Sequence, residues 1–219
     1  MNTNCYSPPC DNGLDLVYRD EFVIVVNKPA GLLSVPGRGG DKSDCLMSRV
    51  QKKFPDARNV HRLDMSTSGL IVLARGEEMH RRISLMFRER RVEKRYIAMV
   101  AGQMRAVAGE VDLPLGPDWP NRPRQKVDFA IGKHSVTCYR LLARAASTHV
   151  CRVELEPVTG RTHQLRVHMA AIGHPILGDA LYGGEASGGA PRLLLHASAL
   201  SFAHPHSEKR LNFECAPPF

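Results

Sequence analysis

Seven segments of the chain are short apolar runs or alternate apolar with polar residues, which is the period of a β-strand. The run Val136–Tyr139, with the letters VTCY, shows this alternation. The predicted strands are Leu14–Tyr18, Phe22–Val26, Leu70–Ala74, Tyr96–Val100, Ser135–Leu142, Val150–Glu156 and Leu193–Phe202. The pattern therefore predicts a protein built mainly around a β-sheet.

Three other segments repeat their apolar residues at the spacing of an α-helix. The first has Ser43 as its predicted N-cap and ends before Pro55. The second is Glu77–Arg91, with acidic residues in its first turn and arginines in its last. The third, around His163–Ile172, ends at Gly173. Strands outnumber helices and do not alternate regularly with them, so the predicted fold class is α+β with a largely antiparallel sheet.

Length and composition suit one packed domain. The chain has 219 residues, of which 43% are hydrophobic, and no apolar stretch approaches the roughly 18 residues of a membrane span. The N-terminus has no signal-peptide pattern. We predict a short N-terminal arm over residues 1–15 and a single domain over 16–219. We also expect a cytoplasmic location, in which the six scattered cysteines are reduced thiols.

Charge points toward an anionic partner. Thirty basic residues against 22 acidic ones give a net charge of +8, and 22 of the basic residues are arginine. The planar guanidinium binds phosphate with two hydrogen bonds and stacks on bases. Such a chain is expected to bind nucleic acid with salt-sensitive affinity, although a basic enzyme with no nucleic-acid role fits the charge equally well.

Several familiar chemistries have no motif in the sequence. The Gly37–Gly40 turn lacks the Lys-Ser/Thr of a P-loop, no G-x-G-x-x-G opens a helix, and no G-x-S-x-G is present. His163 and His168 are five residues apart, which is about 140° around a helix, so they do not share a face well. We therefore expect no nucleotide cofactor and no metal site.

The sharpest polar cluster is the segment His61–Gly69, with the letters HRLDMSTSG, directly before the apolar run Leu70–Leu73. It places the carboxylate of Asp64 near the edge of the sheet. From these residues alone, a structural aspartate that accepts hydrogen bonds from turn amides is the simpler interpretation. Catalysis is the alternative.

Three further polar clusters lie along the chain. Between Arg75 and Arg105 there are nine basic and four acidic residues, which form either a solvated face or a phosphate track that ends at Tyr96. In the segment Gly160–His168, Arg166 comes three residues after His163, on the same side of the predicted helix. The last cluster, Gly178-Asp179 with Tyr182-Gly183 and then Leu194–Ala197, is typical of a turn followed by a core strand.

The HRLD and TSG letters at 61–64 and 67–69 resemble the signature of the RluA family of RNA pseudouridine synthases. Matching motifs follow in order from about residue 16 to residue 200. They are Asn27-Lys28-Pro29 with Gly31-Leu32, Lys94 with Tyr96, Gly132-Lys133 with Thr137 and Tyr139, Gly160–His168, and Gly178-Asp179. Ser135 stands where relatives often have alanine. Because the N-terminus is short, we expect no S4-like domain of the kind that several relatives carry.

The resemblance implies a pseudouridine synthase fold: a central mixed, mostly antiparallel sheet flanked by helices and loops, in one catalytic domain. It implies an isomerase that breaks the C1′–N1 bond of a uridine in structured RNA and rejoins the uracil through C5, without a cofactor. The implied partners are 23S rRNA, at position 746, and tRNA, at position 32 of the anticodon loop. No membrane or obligate protein partner is implied, and we expect a monomer.

The resemblance also assigns residues to roles. Asp64 acts at the anomeric carbon, either by attacking it or by assisting deprotonation of the sugar. Arg166 is the ion-pair partner of Asp64 and keeps its carboxylate charged. Tyr96 stacks on the uracil and helps to remove the C5 proton, and Arg62 holds the flipped-out arrangement of the RNA. Further RNA contacts are expected from His61, Thr67, Lys94, Arg161 and His163. An ester and a glycal intermediate both stay open.

Two other classes of protein compete with this interpretation. One is a non-catalytic RNA-binding module. The other is a carboxylate-dependent glycosidase or nuclease. A glycosidase needs a second carboxylate within roughly 5–10 Å of the first, and Asp179 is expected to be only a turn residue. A phosphodiesterase usually needs metal ligands, for which the sequence has no candidate.

Overall fold

The computed structural model describes residues 6–37, 39, 42–145, 149–185 and 188–219. This part of the chain holds twelve strands and three α-helices, and the predicted α+β class is confirmed. Contacts divide the chain into two compact units: Met1–Glu93 with Ala197–Pro217, and Lys94–His196 with Pro218–Phe219. The single domain expected from the sequence stays a prediction. In the glycine-rich 183–189 segment, Ala186 and Ser187 lie outside the described residues.

The first unit is a sheet with two helices. Strand order is β1-β2-β4-β11-β12, and β3 pairs with β4 as well. The pairs β1–β2, β2–β4, β3–β4 and β11–β12 are antiparallel. The elements are β1 Leu16–Arg19, β2 Val23–Lys28, α1 Leu46–Gln51, β3 Ala57–Asn59, β4 Ser68–Arg75, α2 Gly76–Arg88, β11 Leu195–Ala203 and β12 Arg210–Glu214.

The second unit has its own antiparallel strands, in the order β5-β10-β9-β6. A separate hairpin is made by β7 and β8, and a 3-10 turn at Trp119–Asn121 lies in the loop between these two strands. The elements are β5 Glu93–Ala101, β6 Ala108–Asp112, β7 Leu115–Pro117, β8 Gln125–Val127, β9 Val136–Ala145, β10 Val150–Pro157 and α3 Gln164–Ala171.

Each unit has a core formed by the apolar stripe of one helix on the sheet. In the first unit, Met79, Ile83 and Met86 of α2 pack on buried side chains of β2, β4 and β11. In the second, Leu165 and Met169 of α3 pack on buried side chains of β5 and β10. The 3.6-residue period of the helices and the apolar strands therefore determine which faces are buried.

All seven predicted strands form, with bounds shifted by a few residues, and so do the three helices. The cap predicted for the first helix is wrong. Cys45, not Ser43, is the N-cap of α1: its Sγ accepts the Ser48 N–H, and the Ser48 hydroxyl completes a capping box. The strands β3, β6, β7, β8 and β12 were not predicted, since they are short and depend on pairing with distant segments.

The described part of the N-terminal arm is held by hydrogen bonds. The Tyr6 hydroxyl donates to the Asp44 carbonyl at 2.9 Å and accepts from the Leu33 N–H at 3.0 Å. Arg49, which is buried, donates to the Pro9 carbonyl at 2.6 Å and to the Asp44 carboxylate. These bonds fix residues 6–15 against the segment that leads into α1.

Two further expectations concern the thiols and the membrane. The five described cysteines are free thiols, as expected, and Cys5 lies outside the described residues. Within the described ranges, no helix has both the length and the apolar character that crossing a membrane requires.

Candidate active site

In the first unit, the signature residues lie in the loop that leads from β3 into β4, which carries Asp64. The signature glycine at its end, Gly69, has a positive φ of 114°, and a Cβ there would lie 2.4 Å from the Ala197 carbonyl oxygen. Only glycine allows this close approach between β4 and β11. The glycine of the motif is therefore required by packing.

Backbone hydrogen bonds hold the peptides around Asp64. The Thr67 N–H donates to the Asp64 carbonyl at 3.1 Å, and the Met65 carbonyl accepts from the Gly31 N–H at 2.8 Å. The Lys28 ammonium donates to the same Met65 carbonyl at 3.2 Å. The half-buried Asp64 is thus held by main-chain contacts on its C-terminal side.

The residue before Asp64 is fixed as well. The Ser34 hydroxyl donates to the Leu63 carbonyl at 2.7 Å and accepts from the Leu63 N–H at 3.1 Å. Both residues are buried. The main chain on both sides of Asp64 is therefore fixed, which limits where its carboxylate can lie.

Lys28 of the NKP motif lies at the centre of this arrangement. Its side chain is fully buried, and its ammonium donates to the carbonyls of Pro29 at 2.9 Å, Leu32 at 2.7 Å and Met65 at 3.2 Å. Burial lowers the pKa of Lys28 to about 7, although the negative charge of Asp64 opposes this shift. Lys28 belongs to a motif that matches the family, but it is not among the site residues predicted from the sequence.

We expect Lys28→Met to make the stability of the protein respond differently to pH. The folded-state pKa of about 7 lies below the ordinary value near 10.4, so between these values the unfolded chain binds more protons. The free energy of unfolding contributed by Lys28 therefore rises with pH. From pH 7 to pH 9, the unfolding free energy of wild type minus that of Lys28→Met should increase by about 2 kcal/mol.

Urea denaturation at the two pH values measures this difference. Lys52→Met is the matched control, because the Lys52 side chain is 72% exposed; its difference from wild type should stay constant. If the unfolding free energy of wild type minus that of Lys28→Met stayed constant or fell as the pH rose, the assignment of a depressed pKa to Lys28 would be contradicted.

The other residues predicted from the signature differ in their exposure. The His61 Nε2 accepts the Val72 N–H at 3.1 Å, and its ring stacks on Phe87 at 4.4 Å between centroids. Thr67 is buried, whereas the Arg62 side chain is exposed. Of these three side chains, Arg62 is therefore the one that solution-phase RNA can reach most directly.

In the second unit, predicted residues lie on α3 and on the segment before it. The Gln164 amide is buried and forms hydrogen bonds through both its oxygen and its nitrogen. Its oxygen accepts from the Thr159 hydroxyl at 2.7 Å and from the Arg161 N–H at 3.0 Å. Its nitrogen donates to the Val136 carbonyl at 2.8 Å and to the Thr137 hydroxyl at 3.0 Å. These bonds fix the start of α3 against β9.

His168 completes this polar network. Its Nε2 lies 3.0 Å from the Leu113 carbonyl and must carry the proton, so its Nδ1 accepts from the Thr137 hydroxyl at 3.0 Å. Burial lowers the pKa of His168, which keeps the imidazole neutral. The role of His168 is thus to hold α3 in place.

Arg166 forms a buried, bidentate ion pair with Asp179. Its Nε and Nη2 each donate to one carboxylate oxygen at 2.7 Å, and the side chains are 5% and 1% exposed. The Asp179 carboxylate also accepts the Leu181 and Tyr182 N–H groups at 2.9 and 3.2 Å. Burial alone would raise the pKa of Asp179, but the hydrogen bonds and charge of Arg166, with those of the two amides, lower it.

From the sequence, Asp179 is predicted only to be a turn residue. The two amide contacts confirm that part, but the ion pair with Arg166 was missed. The residues are 13 positions apart, and no local pattern connects them. A sequence signal for the pair does exist: Gly178-Asp179 and Gly160–His168 are both motifs that match the same family.

The predicted relation between His163 and Arg166 is wrong. His163 precedes α3 in the left-handed conformation, with a φ of 55°, so the two residues are not an i, i+3 pair on one helix face. They meet through Tyr182 instead. The His163 Nδ1 is hydrogen-bonded to the Tyr182 hydroxyl at 2.7 Å, and the Arg166 guanidinium carbon lies 5.1 Å from the centre of the Tyr182 ring.

The remaining predicted residues of the second unit lie on β5 and before α3. Tyr96 is half-buried and packs against the core that includes Leu165 of α3. Lys94 is half-buried, and burial lowers its pKa while the charge of Glu156 opposes the shift. Arg161 is exposed. In the part of the chain that can be described, no three His, Cys, Asp or Glu side chains come together as metal ligands.

The comparisons with known proteins agree with these motifs. Residues 22–171 match the family model described as RNA pseudouridylate synthase. The chain is 49% identical over 220 residues to the dual-specificity RNA pseudouridine synthase RluA of Escherichia coli strain K12, covering 100% of both. It is 49% identical to the protein of that name from Pasteurella multocida, covering 98% of both.

Solved structures show the same relationship. Human RNA pseudouridylate synthase domain containing 1 superposes with a TM-score of 0.78 at 31% identity, covering 97% of this chain and 87% of that one. Human RNA pseudouridylate synthase domain containing 4 superposes with a TM-score of 0.73 at 26% identity, covering 93% and 88%. The chain belongs to the RNA pseudouridine synthase family and is an isomerase that converts uridine to pseudouridine in RNA.

Proposed function

We propose that this protein is a dual-specificity synthase that modifies one loop uridine of 23S rRNA, at position 746, and one of the tRNA anticodon loop, at position 32. The observation that carries this proposal is the 49% identity over the whole chain to enzymes described as dual-specificity. We further propose that it acts in the cytoplasm as a monomer, with a single catalytic domain over residues 16–219 and no cofactor.

The proposed mechanism uses one residue of the first unit and two of the second. Asp64 either attacks C1′ or removes a sugar proton while the C1′–N1 bond breaks and its electron pair leaves with the uracil. The uracil turns and C5 bonds to C1′, which displaces Asp64 or returns the proton to the sugar. C5 then loses its proton and N1 gains one. Arg166 keeps the Asp64 carboxylate ionised. Tyr96 stacks on the uracil and assists the removal of the proton. The fixed backbone on both sides of Asp64 supports this role.

Arg62 is proposed to hold the RNA with the target base out of its stack, which costs a few kcal/mol and is cheapest in loops. Its exposed side chain supports this assignment. His61, Thr67, Lys94, Arg161 and His163 are proposed as the other RNA-contacting residues.

The β7–β8 hairpin of the second unit adds support for an RNA partner. Trp119, Phe129 and Ile131 are 61%, 79% and 78% exposed, and the Arg122 guanidinium carbon lies 3.4 Å from the centre of a Trp119 ring. Exposed aromatics among cations are typical of surfaces that bind unpaired nucleotides. The exposed cations of this segment are Arg122, Arg124, Lys126 and Lys133.

We expect Tyr96→Phe to bind RNA normally and to lose turnover by at least about tenfold, because the ring still stacks while the hydroxyl that assists proton removal is gone. Tyr96→Leu, which loses the ring as well, should also bind RNA more weakly. Tritium release and filter binding measure the two effects. If Tyr96→Phe lost only RNA affinity, the hydroxyl would have no role in the proton step.

The proposed function is tested with tRNA and 23S rRNA fragments tritiated at uracil C5, incubated with the wild-type protein in the presence of EDTA. Tritium release from both RNAs, mapped to the two positions, is the expected result. Release from one RNA only would contradict dual specificity. Tight binding without release from either would support the RNA-binding module that the sequence analysis left open.

A further inference from the structure

Tyr182 makes four contacts in the second unit, one of them with Arg166. Its hydroxyl accepts the backbone N–H of Gln125 at 2.7 Å and is hydrogen-bonded to the His163 Nδ1 at 2.7 Å. Its ring lies 5.1 Å from the guanidinium carbon of Arg166 and 5.6 Å from that of Arg124. One aromatic side chain therefore connects the start of β8, the residue before α3 and the buried arginine of α3.

The main chain of Tyr182 is fixed by the same ion pair. Asp179 accepts the Tyr182 N–H while it binds Arg166 through both carboxylate oxygens. Gly178 directly before it has a φ of 71°, and a Cβ there would lie 1.8 Å from the Arg192 carbonyl oxygen, so this turn has little room to move. Both the backbone and the hydroxyl of Tyr182 are therefore held.

Asp179 and Tyr182 restrain Arg166 in different directions. Asp179 binds two of the five N–H groups of the guanidinium and holds it within the plane of the pair. The ring of Tyr182 lies in cation–π contact with the guanidinium and restrains the tilt of that plane.

We propose that Tyr182 is a positioning residue for Arg166, and that it makes the orientation of the guanidinium depend on the placement of the Arg124–Gln125 segment. The proposal rests on the role in turnover proposed for Arg166. A shift of about 1 Å in a reacting arrangement can cost a hundredfold in rate, so loss of the hydroxyl anchor has a kinetic consequence even when the protein stays folded.

The test compares Tyr182→Phe with Tyr18→Phe. Tyr18 of β1 is a matched control, because its hydroxyl also makes a 2.7 Å hydrogen bond, to Asp20, and it belongs to none of the proposed site residues. Single-turnover tritium release at saturating enzyme reports the chemical step, filter binding gives the Kd for RNA, and thermal unfolding gives the Tm.

We expect Tyr182→Phe to slow single-turnover release about tenfold with a Kd within about twofold of wild type. Its loss of Tm should be no larger than that of Tyr18→Phe, which should keep its rate. Tyr182→Leu, which also removes the ring, should be slower still. In an Arg166→Lys background, adding Tyr182→Phe should cost less than about twofold, because the residue acts through Arg166.

Several results would overturn the proposal. An unchanged rate in Tyr182→Phe would do so, as would equal losses in the wild-type and Arg166→Lys backgrounds, or a fall in rate, Kd and Tm together. A wild-type rate in Arg166→Lys alone would overturn the role of Arg166 itself. Absence of release by the wild type would instead overturn the proposed function, so the three failures are distinguishable.

Discussion

Asp64→Asn should lower tritium release by at least about a thousandfold while RNA affinity stays equal or increases. An amide of the same shape cannot attack the anomeric carbon or accept a sugar proton as a carboxylate does. Removing the negative charge also reduces repulsion from the RNA phosphates. The surrounding loop should not change, because its bonds involve the Asp64 and Met65 carbonyls and both backbone groups of Leu63. Single-turnover tritium release and filter binding measure the two quantities.

Asp56→Asn is the matched control for this experiment. Asp56 is exposed and forms a surface ion pair with Arg75 at 3.0 Å, which is worth at most about 1 kcal/mol. Its rate should equal that of the wild type. Turnover by Asp64→Asn at the control's rate would return Asp64 to the structural interpretation and favour another nucleophile.

Asp179→Asn should destabilise the protein by about 3 kcal/mol and reduce turnover as well. The substitution removes the carboxylate that pairs with the buried Arg166 guanidinium, and breaking one side of a buried ion pair costs about 3–5 kcal/mol. The two amides of Leu181 and Tyr182 keep an acceptor oxygen, so the turn itself should persist. Urea denaturation measures the loss of unfolding free energy.

The pH dependence of this loss has a definite sign. Because the folded-state pKa of Asp179 is lowered, its contribution to stability is present above the unfolded pKa and is lost as the pH falls through the folded pKa. The gap between wild type and Asp179→Asn should therefore be widest near neutral pH and narrow in acid. A gap that widens in acid would contradict the ion pair as its source.

Arg166→Met tests the role of the arginine of this pair in turnover. It should abolish turnover while RNA binding stays largely intact, because the arginine is 5% exposed and its proposed role is to keep Asp64 ionised. Arg140→Gln is the control, since Arg140 forms an exposed ion pair with Glu154 in the same unit. Undiminished turnover in Arg166→Met would remove Arg166 from the mechanism.

Local patterns predicted most of the secondary structure. The strands of the two units and the apolar stripes of α2 and α3 follow from periods of two and 3.6 residues, which depend only on near neighbours in the chain. The motifs found in order along the sequence likewise indicated the family and the candidate residues Asp64, Tyr96 and Arg166. Composition added the expectation of an anionic partner.

Contacts between distant residues decided what these patterns could not. The cap of α1 is Cys45, and His163 lies before α3 in a left-handed conformation, because the surrounding packing overrides local preference. Lys28 meets the Met65 carbonyl across 37 positions, and Tyr182 meets Gln125 across 57. The sequence by itself determined the elements and the chemistry that the chain carries. Tertiary structure decided which buried groups pair, because that depends on the folded positions of residues with no local relation.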